Sequence, residues 1–86
     1  MKELEDAEDS FALAALVEAI ENQIADGQPR ETGLVMMALL SQGADRQEAL
    51  EQMALVLAEH VALSLDQKTA FDINRYAQAL MQLAAD

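Results

Sequence analysis

The sequence predicts an all-α protein, a small array of four helices packed as an antiparallel or orthogonal bundle. Its 86 residues are dominated by Ala, Leu, Glu, Gln and Met, which all favour helices. The β-branched and aromatic residues that strands prefer are scarce, and aromatic residues make up only 3% of the chain. Apolar residues recur at helical spacing in four segments, which are separated by glycine, proline or capping residues.

The residues at the N-terminal end of the chain indicate an acidic tail followed by helix 1. Residues 1–9 contain five Asp and Glu residues and are expected to form a frayed terminus. Residues 10–86 then form a single helical domain. Ser10 is a good N-cap for helix 1, because its hydroxyl can accept a hydrogen bond from a first-turn amide. Gly27 ends the helix, since glycine readily adopts the left-handed conformation of a C-cap.

Helix 2 is predicted between Pro29 and Gly43. Proline suits the first helical position, where its missing N–H is not needed, and Gly43 provides the stop. Gly33 lies inside this helix and costs about 1 kcal/mol relative to alanine. Two explanations stay open: another helix approaches closely at Gly33, or the helix tolerates a weak position.

Capping residues predict the starts of helices 3 and 4. Asp45 with Glu48 three residues later resembles a capping box, so helix 3 is expected to begin after Asp45. For helix 4, either Ser64 caps the helix with Gln67 at the third position, or Asp66 is the cap. We favour Asp66. The connections between helices are short, so sequential helices are expected to be antiparallel neighbours.

Seven consecutive apolar residues in helix 2, from Leu34 to Leu40, predict contact with a partner. Because a helix turns once every 3.6 residues, such a run covers all sides of the helix axis. One face can enter the core of its own subunit, while the others need further helices or a second protein. We therefore expect helix 2 to be central and the protein to form a homodimer, with an interface drawn from Leu34, Val35, Met36, Met37, Leu39 and Leu40. For the methionines as a group, core filling is favoured over an adaptable binding surface, and Met36 and Met37 are the strongest candidates for the interface.

The net charge of −11 argues against binding to nucleic acid or to anionic membranes, which both select basic patches. The five basic residues are spread along the chain and form no such patch. Arg30 and Arg46 each stand at a helix start, where a positive charge is unfavourable. They are expected to pair with nearby acids such as Glu31 or Glu48, or else to form salt bridges across an interface.

No motif in the chain predicts catalysis, a metal or a cofactor. His60 is the sole histidine, and the scattered serines give it no evident nucleophile. It is expected to be a surface or helix-end residue that interacts favourably with the C-terminal end of a helix dipole. The three glycines are isolated, so there is no phosphate-binding loop, and the absence of cysteine excludes disulfides and thiolate metal sites.

These observations favour a non-catalytic protein-interaction or regulatory module that self-associates through helix 2. The alternative is an acidic inhibitor or nucleic-acid mimic that binds a basic protein. A cytoplasmic location is expected, because the acidic start does not resemble a signal peptide. The longest apolar run is also far shorter than the ~20 residues of a membrane-spanning helix.

Overall fold

The computed structural model describes residues 2–85, and the side chains of residues 13–85. Within that range the chain forms four α-helices and no β-strand, which confirms the all-α prediction. The helices are α1 (Lys2–Asp26), α2 (Arg30–Ser41), α3 (Arg46–Gln67) and α4 (Ile73–Ala84). None of the described helices has a stretch long and apolar enough to cross a membrane.

The first helix starts earlier than predicted. Helical backbone begins at Lys2, so Ser10 lies inside α1 and is not its N-cap. Residues 2–26 contain neither glycine nor proline, and serine inside a helix costs less than about 0.7 kcal/mol relative to alanine. The fraying of residues 1–9 stays a prediction, because Met1 and the side chains of residues 2–12 lie outside the described part of the chain.

The ends of α1 and α2 match the predicted glycine stops. Gly27 has a φ of +72° and donates its amide to the carbonyl of Gln23 at 2.9 Å. Gly43 has a φ of +105°, and this turn lets the amide of Ala44 reach the carbonyl of Leu39 at 3.1 Å. Both glycines thus adopt a backbone conformation that other residues rarely accept.

The start of α2 differs by one position from the prediction. Pro29 is the N-cap and has an extended backbone, whereas helical geometry begins at Arg30. The carbonyl of Pro29 accepts the amide of Thr32 at 3.1 Å. Proline has no side-chain acceptor, so the first turn of α2 lacks the side-chain cap that serine or aspartate would supply.

The predicted cap of α3 is confirmed, but the predicted start of helix 4 is wrong. The side chain of Asp45 accepts the amide of Glu48 at 2.8 Å. Ser64 and Asp66 do not cap a new helix, because α3 continues through both of them to Gln67. Inside the helix the Ser64 hydroxyl donates to the carbonyl of Val61 at 2.9 Å, which satisfies the side chain without a break in the backbone.

The connection between α3 and α4 lies further along the chain. Lys68 adopts the left-handed conformation, with a φ of 55°, and the amide of Thr69 donates to the Ser64 carbonyl at 3.0 Å. The true cap of α4 is Asp72, whose carboxylate accepts the amide of Arg75 at 3.1 Å. A C-cap and an N-cap therefore flank a short loop after Gln67.

The core takes side chains from all four helices. α2 and α3 each pack against the other three helices, so the expectation that helix 2 alone is central is not confirmed. The ends of α2 and α4 lie side by side, because the Gln42 side chain donates to the Ala84 carbonyl at 2.9 Å. The large apolar residues buried in this core are Ile20, Val35, Met36, Leu39, Leu50, Met53, Leu57, Tyr76 and Leu80.

Candidate interaction surface

The apolar run of α2 is divided between the core and the surface. Val35, Met36 and Leu39 are buried within the chain's own core, with at most 4% of each residue exposed. The other three large residues of the run are on the surface: Leu34 is 46% exposed, Met37 67% and Leu40 41%. Of the six residues predicted for an interface, half are therefore available to a partner and half are not.

The exposed residues share one side of the helix, which we call the outer face of α2. It consists of the exposed residues Leu34, Met37, Leu40 and Ser41, and it includes the half-buried Gly33. Gly33, Met37 and Leu40 follow one another at spacings of four and three residues, which align side chains along a helix. Thr32, Val35, Met36 and Leu39 form the opposite, buried face.

The outer face carries no charge. No Asp, Glu, Lys or Arg occurs from residue 32 to residue 44, although 24% of the whole chain is charged. Arg30 and Glu31 lie just before this segment, and Asp45 follows it. In a chain with a net charge of −11, the outer face is thus a surface where apolar contact is not opposed by a local negative charge.

A groove of about 580 Å³ lies between the first turn of α2 and α4. Glu31 lines it from α2, one turn before Leu34, and Met81 contributes an apolar side chain that is 45% exposed. Its other lining residues are neutral: Asn74, Ala77, Gln78 and Gln82. Among the described residues that line the groove, Glu31 has the one titratable side chain, so these residues pair no acid with a base and no nucleophile with an activating group.

A buried polar junction joins three helices, and sequence reasoning missed it. The side-chain oxygen of Gln23 in α1 accepts two hydrogen bonds, from the Thr32 hydroxyl of α2 and the Tyr76 hydroxyl of α4, each at 2.9 Å. Thr32 and Tyr76 are both fully buried. Burial raises the pKa of Tyr76, because the charged phenolate is poorly solvated in the core. The helical spacing of Thr32 with Val35, Met36 and Leu39 was a signal that could have placed this threonine in the core.

His60 is half-buried against α4 and is not at a helix end. It lies about two turns before the end of α3, so the expected contact with the helix terminus is wrong. Its Nδ1 donates to the Val56 carbonyl at 3.0 Å, and its ring packs against the edge of Tyr76 with 6.0 Å between centroids. α3 extends beyond the predicted boundary, and this extension places His60 in its interior.

The surroundings of His60 do not form a nucleophilic site. A small cavity of about 30 Å³ lies next to the ring, lined also by Ser64, Asp72 and Arg75. The Ser64 hydroxyl donates its proton to the Val61 carbonyl, and Asp72 accepts the Arg75 amide as the cap of α4. Both polar side chains thus have structural roles in their own helices.

Among the described side chains, no group of three or more His, Asp or Glu residues is close enough to hold a metal ion. Arg46 pairs with Glu21 of α1 at 3.8 Å, which differs from the predicted pairing with an acid near its own helix start. Both of these side chains are about half exposed, so the pair adds little stability.

No family model, curated protein or solved structure matches the chain. Its function is therefore inferred from its own residues.

Proposed function

We propose that this protein is a non-catalytic interaction module that self-associates through the outer face of α2. The observation that carries the proposal is the exposure of Leu34, Met37 and Leu40 on one side of an uncharged helical segment. Single exposed apolar residues are normal on protein surfaces, whereas a contiguous apolar patch is typical of an interaction site. In the proposed dimer, α2 is central because it contributes one face to its own core and the other to the partner.

The size of the patch favours a weak and reversible dimer. α2 has 12 residues and is therefore about 18 Å long. A stable interface usually buries about 800 Å² on each partner, which is more than one side of so short a helix provides. Met81 at the edge of the neighbouring groove would enlarge the contact. We expect an affinity in the micromolar range.

A pair of matched substitutions tests this proposal. Met37→Glu places a carboxylate in the middle of the outer face, so association would bring two like charges together in an apolar contact. Leu55→Glu makes the same change in α3, where Leu55 is 62% exposed, nearly as much as Met37 at 67%. Size-exclusion chromatography with light scattering would report the mass of each variant.

The expected results differ for the two variants. Met37→Glu should elute as a monomer of about 9.4 kDa, whereas Leu55→Glu should retain the dimer of the unsubstituted protein. Circular dichroism would show that both variants keep their helices. Equal loss of the dimer in both variants would contradict an interface on α2, and so would a dimer that Met37→Glu leaves intact.

A further inference from the structure

We infer that two copies of α2 pair in antiparallel orientation, with Gly33 of each copy in close contact with the other copy near one end of the pair. This inference rests on the proposed self-association and specifies its geometry. Gly33 lies within α2, where glycine is a poor helix former. In the described part of the chain, apart from the two neighbouring residues and the adjacent backbone of α2 itself, no atom lies within 4 Å of the position that a Cβ atom on Gly33 would occupy. The chain's own packing therefore gives no steric reason for a glycine here, whereas a second helix would.

The pattern of the outer face is self-complementary. In an isologous dimer, two residues at equal distances on either side of the two-fold axis face each other. With the axis at Met37, which is more exposed than Leu34 and Leu40, Leu34 lies opposite the partner's Leu40. Gly33 then lies opposite the partner's Ser41, so two small residues meet at each end of the contact. The Ser41 hydroxyl already donates to the Met37 carbonyl at 2.9 Å, so an apolar surface can cover it without loss of a hydrogen bond.

The two chains repel each other overall through their net charge of −11, but the local charge at the ends of α2 favours a second copy of this helix as the occupant. Arg30 stands at the positive end of the α2 dipole, and α2 has no basic residue in its last turn. An antiparallel crossing brings the Arg30 of each copy toward the negative C-terminal end of the other α2. The segment from residue 32 to residue 44 contains no acid, so the two helices approach without direct repulsion between carboxylates. The α2 helix thus supplies both charges of each contact, the positive Arg30 at its start and the negative end of its dipole at its C-terminus.

The test is Gly33→Ala, because it changes folding and association in opposite directions. In the separate chain the added methyl group has open space and alanine is the better helix former, so the thermal unfolding midpoint of the dilute monomer should stay equal or rise. In the dimer the methyl group pushes the two helices apart, which should weaken binding and raise the dissociation constant about tenfold. Analytical ultracentrifugation measures that constant.

A second variant approaches the same contact from the opposite residue. Ser41→Leu adds bulk on an exposed residue opposite Gly33 and should weaken the dimer by a similar factor, with the glycine intact. Ser41→Ala keeps the residue small and should leave the dissociation constant within about twofold of that of the unsubstituted protein.

The orientation of the two helices is tested by oxidation of mixed Leu34→Cys and Leu40→Cys chains with copper phenanthroline. The antiparallel pair should give mainly the mixed disulfide, because only that pair of Cβ atoms is adjacent.

The outcomes separate this inference from the proposal beneath it. If the unsubstituted protein dimerises and the Gly33→Ala and Ser41→Leu variants each form a dimer with the same dissociation constant, the contact at Gly33 is wrong and self-association stands. If Leu34→Cys pairs mainly with itself, the antiparallel orientation is wrong. If the unsubstituted protein is a monomer throughout the micromolar range, self-association and this inference are both wrong.

Discussion

Tyr76 connects α4 to two other helices through a single hydroxyl group. That hydroxyl donates to Gln23, which also accepts from Thr32, while the Tyr76 ring packs edge-on against Phe71 with 5.4 Å between centroids. A buried polar group that keeps its hydrogen bond adds specificity to a core, because other packings would leave it unpaired. The contact could not be foreseen from the sequence, since Gln23 and Tyr76 are 53 residues apart and only the folded bundle brings them together.

Tyr76→Phe removes this hydroxyl and keeps the ring. The expected loss of stability is about 1 kcal/mol, typical of one hydrogen bond, because Gln23 still accepts from Thr32 and is not left unpaired. Urea denaturation measures the change. Phe71 provides no hydroxyl, so Phe71→Leu serves as a control that alters the ring contact and leaves the hydrogen bond in place. An unchanged midpoint for Tyr76→Phe would show that the hydroxyl contributes nothing.

The raised pKa of Tyr76 also makes stability depend on alkaline pH. Burial favours the neutral phenol in the folded protein, so the folded pKa lies above the unfolded value of about 10. Between these two values the unfolded chain has lost the proton that the folded chain keeps. Stability is therefore fully present below about pH 10 and falls as the pH rises further. In a series of urea titrations, Tyr76→Phe should lose less stability over that range than the unsubstituted protein.

At the level of the elements, local chemistry predicted some boundaries and failed at another. Gly27, Gly43 and Asp45 act through neighbours a few residues away, so their roles could be read from the sequence. Ser64 and Asp66 carry the same kind of side chain as Asp45 but lie inside a helix. A side-chain acceptor is compatible with either position, so the type of side chain alone does not decide between them.

A comparison of two aspartates tests the revised boundary. Asp72→Ala removes the cap of α4 and should cost about 0.5–2 kcal/mol, because the Arg75 amide loses its acceptor. Asp66→Ala changes an exposed residue in the last turn of α3 and should alter stability by less than about 0.5 kcal/mol. Thermal unfolding of the two variants gives the difference. A larger loss for Asp66→Ala would place the start of helix 4 where the sequence alone suggested.

At the scale of the whole molecule, the fold buries one side of α2 and leaves the other exposed. The sequence indicated that helix 2 has more apolar surface than one chain can cover. It could not show which three residues face outward, because seven apolar residues in a row erase the periodicity that distinguishes the faces. The structure assigns Leu34, Met37 and Leu40 to the surface. The proposed role of this face is therefore narrower than the predicted interface.

Salt dependence separates self-association from recruitment of a basic protein. Two copies of a chain with a net charge of −11 repel each other, and added salt screens that repulsion while apolar contact persists. We expect the dimer to become tighter as sodium chloride rises. Binding of a basic protein to the acidic surface would instead weaken with salt. Dimerisation that disappears at high salt would contradict an apolar contact at α2.

The most direct measurement is sedimentation equilibrium of the unsubstituted protein across the micromolar concentration range. The average mass should rise with concentration from the 9.4 kDa of one chain toward twice that value, and one monomer–dimer equilibrium should describe all the data. Met37→Glu in the same rotor should remain at the mass of one chain. A mass of 9.4 kDa at every concentration of the unsubstituted protein would contradict self-association through the outer face of α2.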